Sequence, residues 1–479
     1  MIGRAAESAL LRSAYESEQS EFVAVYGRRR IGKTYLINEV FNSTFAFHIA
    51  GMENSSRREL LDLFRLALRG KGWKCPRLSG WLEAFFELER YLDSLPSGKK
   101  VVFLDELPWF DTPKSGFLSA FENFWNGWST SRKDVLLIIC GSATTWIIDK
   151  VLRSRGGLYN RVTRRIPLAP FTLAECEEYA KYRGFRFTRR DLCECYMALG
   201  GVAYYWSRLQ DGKTVAENFD ALFFGANSEL RDEFRGLFSS TFKLSTLHSG
   251  IIALLAKRNG GLTRDAIRVG LGRSVSGSVL SETLAELEEC GFIRAFGGYG
   301  KRKKEAVFQL IDHYVLFYYR FLEDYHAKNE CYWTRNFRSP MLNAWRGLAF
   351  ERVCMTHIRE IKAALGISGI AADVYSWFSR GKGKEEGGAQ IDLLLDRADN
   401  AVDICEMKFA GEEYSLSREE AEKIERRVAV FQREACTKKP VRVVMVTSFG
   451  VKRGLYSGCY QAGVTLDHLF QPRSAFPTA

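Results

Sequence analysis

Residues 21–41, EFVAVYGRRRIGKTYLINEVF, carry three textures in one run. Phe22 to Tyr26 are apolar and β-prone, Gly27 to Gly32 bound a loop rich in arginine, and the residues from Lys33 onward have the spacing of an amphipathic helix. Gly27, Gly32, Lys33 and Thr34 stand at the spacing G-x-x-x-x-G-K-[ST]. A loop that wraps a phosphate offers its backbone N–H groups, so side chains are absent where the turn is tightest. Arg28, Arg29, Arg30 and Ile31 complete that loop, Lys33 is placed for the β- and γ-phosphates, and the Thr34 hydroxyl for Mg²⁺. Strand before and helix after predict a nucleotide-binding α/β sheet.

Such a sheet needs an acidic partner on a second buried strand. KKVVFLDELPWF supplies it, with Val101 to Leu104 apolar and Asp105 and Glu106 at the end. Asp105 is expected to hold the Mg²⁺ shell, and Glu106 to orient or deprotonate the attacking water. A third apolar run, VLLIICGSATTW, ends at Gly141-Ser142. Ser142 there either senses the γ-phosphate or is merely a small residue ending a strand. Downstream, GGLYNRVTRRIPLAPF carries Arg161, Arg164 and Arg165. Arg161 could reach a neighbouring subunit's γ-phosphate, making hydrolysis depend on assembly, with surface basicity as the competing account.

These motifs, with IGR at Ile2 to Arg4, YGRRRIGKT, FLDELPW, IICGSA, LYNRVT and PFTLAEC, make residues 1 to about 225 resemble the archaeal-type ATPase family of the AAA-like, signal-transduction class. The resemblance implies ATP and Mg²⁺ as ligands, a helical lid after the core, and Arg4 near the nucleotide. The family carries a Gly-Gly-x-Pro box in that lid, whereas LGGVAYYW has Ala203 at the proline position.

From about Leu237 to Phe321 the pattern changes to three amphipathic helices, followed by GGYGKRKKEAVFQLID with the alternation and central turn of a hairpin. Three helices and a hairpin predict a winged helix-turn-helix, which agrees with the family resemblance. The hairpin tip, Lys301 to Lys304, suits phosphates. Its second helix offers Ser274, Ser276 and Ser278, but Glu282, Glu286, Glu288 and Glu289 follow and would oppose DNA phosphates. Backbone contact and an internal coupling role both remain open. The aromatic stretch DHYVLFYYRFLEDYH is expected to pack the module against its neighbours.

The last third turns on QIDLLLDRADNAVDICEMKF, residues 390–409, where charges interrupt two apolar strands. A three-residue turn centred on Asp399, with Asn400 tolerant of the left-handed conformation, makes positions summing to 798 face each other. Arg397 then faces Ala401, Asp392 faces Glu406, and Lys408 points to the same side, while Leu394, Ile404 and Val402 continue that face as core. Two carboxylates so close repel unless a cation lies between them, and a divalent metal does that well. The pattern is that of the PD-(D/E)xK nuclease fold. Asp392 and Glu406 would hold Mg²⁺ or Mn²⁺, Glu351 in AWRGLAFERVCMTHIREI would complete the metal site, and Lys408 would position water or stabilise developing charge. His357 on the same helix reads as structural, and Gln432 either supports the site or is solvated helix polarity. Residues 340 to 470 resemble the nuclease-like domain that accompanies this ATPase family, through GLAFERVC, AQIDLLLDR, ICEMKF and TLDHLF.

The bulk numbers agree with this division. A chain of 479 residues exceeds one core, and 46% hydrophobic with 26% charged residues is a globular composition. No apolar run approaches the roughly 18 residues of a membrane span, and acidic residues interrupt the N-terminus where an export signal would be apolar, so a cytoplasmic protein is expected. The eleven cysteines are scattered, Cys140 and Cys405 sit in strands, and reduced thiols are expected. A net charge of +12 suits a polyanion, with DNA the expected partner. The predicted architecture is multidomain α/β: a P-loop ATPase core over 1–168, a helical lid over 169–236, a winged helix over 237–325, and a restriction-endonuclease-like α/β domain over 340–472. The predicted function is an ATPase whose nucleotide state controls a metal-dependent nuclease acting on DNA, with a possible homo-oligomer through Arg161. The alternative is an ATP-dependent switch or scaffold binding DNA or protein with an idle nuclease fold. An ATP-driven motor is weaker, because neither a second ATPase core nor a helicase-type motif set is present.

Overall fold

A computed structural model of the chain describes residues 2–142, 144–154, 156–239, 242, 245–272, 275–300, 306–325, 329–379 and 388–472. The chain divides into two units, Met1–Pro170 with Leu237–Lys243, and Phe171–Gly236 with Leu244–Ala479.

In the first unit five strands, β1 (Glu21–Tyr26), β2 (Phe47–Ala50), β3 (Lys100–Asp105), β4 (Val135–Gly141) and β5 (Arg164–Pro167), form a parallel sheet in the order β2-β3-β4-β1-β5. Phe22 and Ala24 of β1, Val102 and Leu104 of β3, and Leu137 and Ile139 of β4 share one face. There they meet Phe64 of α3 (Arg57–Gly70), Trp81 and Phe85 of α4 (Trp81–Asp93), and Phe121 of α5 (Phe117–Asn123). Val23, Val25, Phe103, Ile138 and Cys140 take the other face, against Leu11 of α1 (Ala5–Glu16) and Ile37 of α2 (Lys33–Val40). Both faces are covered, which is why these strands read as unbroken apolar runs. This is a P-loop NTPase-like α/β fold. Because β4 lies between β1 and β3, its tip stands between the loop after β1 and the acids after β3, at the carboxyl edge where open parallel sheets take ligands.

The second unit contains the helices expected to form a lid. Capping boxes start α6 (Leu173–Tyr182) at Thr172 and Glu175, and α7 (Arg189–Leu199) at Thr188 and Asp191. Ala203 opens the short helix Ala203–Ser207, a first-turn position that a proline would also accept.

Between residues 245 and 321 lie α8 (Ser245–Ala256), α9 (Arg264–Gly270), α10 (Gly277–Glu289) and α11 (His313–Phe321), with the short strands β6 (Leu262–Thr263), β7 (Ile293–Phe296) and β8 (Val307–Leu310) in the order β6-β8-β7. The first long strand of this sheet begins earlier than the alternation over 297–312 predicts. Gly291, with φ 73°, terminates α10, and Ile293–Phe296 then pair with Val307–Leu310. Ser274 and Lys301–Lys304 lie outside the described residues.

The remaining sheet is mixed, ordered β13 (Ala462–Thr465), β12 (Val441–Thr447), β11 (Val402–Lys408), β10 (Ala389–Arg397) and β9 (Ala372–Ser379). β9, β10 and β11 pair antiparallel, and β11, β12 and β13 pair parallel. Leu393 faces Cys405 and Leu394 faces Ile404, the register that the three-residue turn sets, with Asn400 at φ 66°. Arg397 ties the turn by donating to Asp399 (2.8 Å) and to the fully buried Asp403 (3.1 Å). Ile391, Leu394, Val402 and Ile404 pack with Val430 and Phe431 of α13 (Arg418–Ala435).

α12 (Pro340–Thr356) packs against both β11 and α7. Arg346 Nε and Nη2 donate to Glu194 Oε1 at 2.9 and 2.7 Å, with both side chains almost wholly buried. Its C-cap, His357, accepts the Leu173 N–H on Nε2 (3.0 Å), so the proton sits on Nδ1, facing the Val353 carbonyl at 2.8 Å. The run AWRGLAFERVCMTHIREI reads as one continuous helix, yet this paired imidazole stands between α12 and a second helix at Ile358–Ala364.

Candidate functional site

The loop after β1 is shaped by one close approach. Gly27 has φ 142°, and a Cβ there would lie 2.3 Å from the Leu168 carbonyl oxygen, so no other residue fits without moving β5's exit. Arg28 and Ile31 are buried, Arg29 and Arg30 half-buried, and Arg30 is left-handed at φ 69°. Gly32 caps α2, whose first residue, Lys33, is buried. Lys33 Nζ donates to the carbonyls of Gly27 and Arg28, both at 2.9 Å, and to Ser142 Oγ at 3.4 Å. Arg4 closes the outer side of the loop through Ile31 O (3.4 Å) and Ala169 O (2.7 Å).

The strand order brings the predicted acids to this loop. Thr34 Oγ1 donates to Asp105 Oδ2 at 2.9 Å. On the other carboxylate oxygen, Asp105 accepts the Cys140 thiol (2.6 Å) and the Glu106 N–H (2.9 Å). Burial first, then the Asp105 charge, pushes the Cys140 thiol well up, so it stays a protonated donor. That role is invisible in a strand of apolar residues, where Cys140 reads only as a small hydrophobe. Glu106 is left-handed (φ 46°), and its carboxylate accepts Ser142 N–H at 3.0 Å and Ser142 Oγ–H at 2.5 Å. Lys33, Ser142, Glu106, Asp105 and Thr34 therefore form one connected network. Thr34 and Asp105 are an all-oxygen pair of the kind a hard divalent cation takes.

Arg161 is exposed and lines a cleft of about 370 Å³ with Ser20, Trp125, Arg132 and Lys133. Ser20, Lys133 and Thr163 precede β1, β4 and β5, so this cleft lies at the sheet edge opposite the phosphate loop. Arg161 is not brought to Lys33 of its own chain.

In the second unit, Glu406 is buried near the end of β11, while Asp392 on β10 and Lys408 are half-buried. Gln390 Nε2 donates to Asp392 Oδ1 at 2.6 Å. Burial, then the Asp392 charge, pushes the Glu351 carboxyl up to about 7, while Arg352, Lys408 and Arg427 oppose the rise. Asp392 and Lys408 are thus within electrostatic reach of Glu351. Among the described residues, however, no three His, Cys, Asp or Glu side chains gather closely enough to hold a metal ion. Arg427 of α13 lies directly on Glu406 instead. Gln432, the helix residue singled out from sequence, is exposed. Arg427 has a legible signal: it falls between Ile424, Val428 and Phe431, on the stripe that α13 turns to the sheet.

On α10, Glu286 pairs with the buried His248 at 2.7 Å and Glu288 accepts the Ala295 N–H at 2.9 Å. Glu286 and Glu288, among the glutamates expected to face DNA phosphates, thus have partners within the chain.

No helix among the described residues is long and apolar enough to cross a membrane. No family model matches the chain. The uncharacterized protein MJECL04 of Methanocaldococcus jannaschii is 24% identical over 418 residues, covering 85% of this chain and 87% of that protein. The Walker-type ATPase PABY2304 of Pyrococcus abyssi is similar in structure, with a TM-score of 0.49 and 17% identity over 67% of this chain and 96% of that one. The ORC2 protein of Aeropyrum pernix, in its ADPNP-ADP complexes, gives 0.43 and 14% over 67% and 93%. Neither score reaches 0.5, and the P-loop NTPase-like fold rests on the strand order and loop geometry of the chain itself.

Proposed function

We propose that the first unit binds and hydrolyses ATP with Mg²⁺, and that its nucleotide state controls a metal-dependent nuclease centre in the second unit that acts on DNA. The connected network from Lys33 through Ser142 to Glu106, with Asp105 and Thr34 beside it, is the observation that carries the ATPase reading. The loop N–H groups and Lys33 would hold the β- and γ-phosphates, and Thr34 and Asp105 would hold Mg²⁺, which neutralises charge on the phosphates when bound. Glu106 orients the attacking water. Ser142 links the lysine to that glutamate through a single hydroxyl, so a γ-phosphate on Lys33 is felt at Glu106. Arg161, at the opposite sheet edge, suits a site in a second copy.

The nuclease reading is supported by the β10–β11 register, paired from Asp396↔Val402 to Leu393↔Cys405 and followed on β10 by an irregularity between Ile391 and Leu394, and by Glu351 within electrostatic reach of Asp392. The helices and three-stranded sheet over 245–321 suit a winged helix, with its charge directed to the nucleic-acid backbone. One observation favours the second reading, an ATP-dependent scaffold with an idle nuclease fold: Arg427, rather than a third carboxylate, meets Glu406. The deciding experiment is cleavage of labelled plasmid and linear DNA with Mg²⁺ or Mn²⁺, with and without ATP, for the wild type, Lys33→Ala and Asp392→Ala. Cleavage lost in Asp392→Ala and altered in Lys33→Ala supports the first reading. ATP hydrolysis without cleavage under any condition supports the scaffold.

A further inference from the structure

The loop after β7, expected to be the wing of a DNA-binding module, is engaged within the chain. It runs Gly297-Gly298-Tyr299, and Gly298 pairs in parallel with Ser376 on β9. β9 is the last strand of its sheet, so its outer edge carries backbone groups that need a cover. Tyr299 completes that cover. Its hydroxyl donates to Thr437 Oγ1 at 3.1 Å, and its ring lies 5.7 Å from that of Tyr375 and 5.2 Å from that of Phe431. A Cβ at Gly297 would stand 3.2 Å from the Tyr375 ring, so the loop is bare where it crosses that tyrosine.

The contact falls at a break in the sheet. Ile391 pairs with Trp377 and Leu394 with Tyr375, so Asp392 and Leu393 occupy the interval that β9 fills with Ser376 alone. Such a bulge bends its strand and re-aims its side chains, and the loop holds the residue opposite it. A second grip lies at the turn after α8. The Asn259 carbonyl there accepts Gln309 Nε2 at 2.6 Å and Arg352 Nη2 at 2.5 Å, and Arg352 is the buried neighbour of Glu351 on α12. Arg294 of β7 donates to the Met355 carbonyl of the same helix at 3.1 Å. Glu286 and Glu288 of α10 likewise turn to partners within the chain. The 245–321 module therefore holds both elements that bear Asp392 and Glu351.

We propose that this loop is an intramolecular clasp: it stays on β9 while the chain binds nucleic acid, and it fixes the Asp392 bulge, so that a shift of the module moves that strand. A loop that entered a nucleic-acid groove instead would give up the Ser376 pairing and the Tyr299 contacts and would bare the edge of β9. The clasp stands on contacts within the chain; the weight given to Asp392, and the nucleic-acid arm of the test, rest on the reading above.

The test uses the full chain carrying Cys331→Ser, Cys436→Ser and Cys459→Ser, which removes the cysteines that are not buried, together with Gly298→Cys and Ser376→Cys. Paired strands lie about 4.8 Å apart, within reach of a disulfide. Mild oxidation should close this bond, and the closed and reduced forms should bind a fluorescent DNA oligonucleotide in EDTA with affinities within about twofold of each other. A bond that does not form, or a closed form that binds roughly tenfold more weakly than the reduced one, overturns the clasp. A reduced form that binds no oligonucleotide removes the nucleic-acid reading. Hydrogen exchange of Tyr299→Ala and Tyr299→Phe then decides the clasp, as it does if the cysteine variant fails to fold. Tyr299→Ala should speed exchange over 372–379 and 389–393 roughly tenfold with far less change in β12 and β13, and Tyr299→Phe, which loses only the bond to Thr437, should fall between it and the wild type. Acceleration spread evenly over the sheet, or none at the bulge, makes Tyr299 an ordinary packing residue and overturns the proposal.

Discussion

Replacing Glu351 by glutamine isolates the cost of placing a third acid in this centre. Its carboxyl is displaced from an ordinary value of 4.5 to about 7, first by burial and then by Asp392. For an acid the sign runs toward the protonated form: between these two values the folded chain holds a proton that the unfolded chain has released. Stability is therefore highest below the unfolded value and falls as pH rises toward 7. Tenfold in an equilibrium is about 1.36 kcal/mol, so the displacement amounts to about 3 kcal/mol once the pH exceeds 7, and to less than about 1 kcal/mol near pH 5. Glutamine fills the same space without the charge. In metal-free buffer at pH 8, Glu351→Gln should melt roughly 6 °C above the wild type in the transition that reports the second unit, and the gap should close as pH falls toward 4.5. Equal melting at pH 8, or a gap that does not change with pH, refutes the electrostatic reasoning.

Three further outcomes follow from the same geometry. Arg346→Met strands the buried Glu194 carboxylate and should cost about 3–5 kcal/mol, whereas Glu194→Leu combined with Arg346→Met should recover most of it by chemical denaturation; an equally unstable double variant would contradict this. Ser142→Ala removes the hydroxyl between Lys33 and Glu106 and should lower kcat for ATP roughly tenfold or more with little change in KM, while a raised KM at unchanged kcat would make Ser142 a binding residue only. Mixing Lys33→Ala chains with Arg161→Ala chains should restore part of the ATPase rate if Arg161 serves a second copy, and no rescue argues against a trans arginine.

Local chemistry was readable, and long-range partnership was not. The phosphate loop was legible because its glycines, lysine and threonine stand at one fixed spacing within eight residues, and the β10–β11 register was legible because a three-residue turn leaves one pairing. Asp105 and Glu106 could be assigned by type, but their neighbours could not: the Cys140 thiol reaches Asp105 only because β4 inserts between β1 and β3. Strand β7 was hidden inside a helical pattern, since Ile293–Phe296 is too short to show its period before the chain turns. A cation on an amphipathic helix reads as its wet side, and only the neighbouring Ile424 and Phe431 mark Arg427 as facing inward. The grouping of α6 and α7 with the C-terminal sheet depends on Glu194 and Arg346, which are 152 positions apart.

That last pair bears on what can be cut from this chain and passed on. A fragment beginning at residue 340 would look like a self-sufficient nuclease module, yet it would carry Arg346 without its acceptor and His357 without the Leu173 N–H. The heritable building block is longer than the motif-bearing segment: a graft, a truncation or a recombination breakpoint between 199 and 340 separates α12 from the helices that complete its environment. Exchange of C-terminal parts between related chains should therefore carry α6 and α7 along, and an ATPase core that received α12 and the C-terminal sheet alone would inherit a helix with an unpaired charge in its middle.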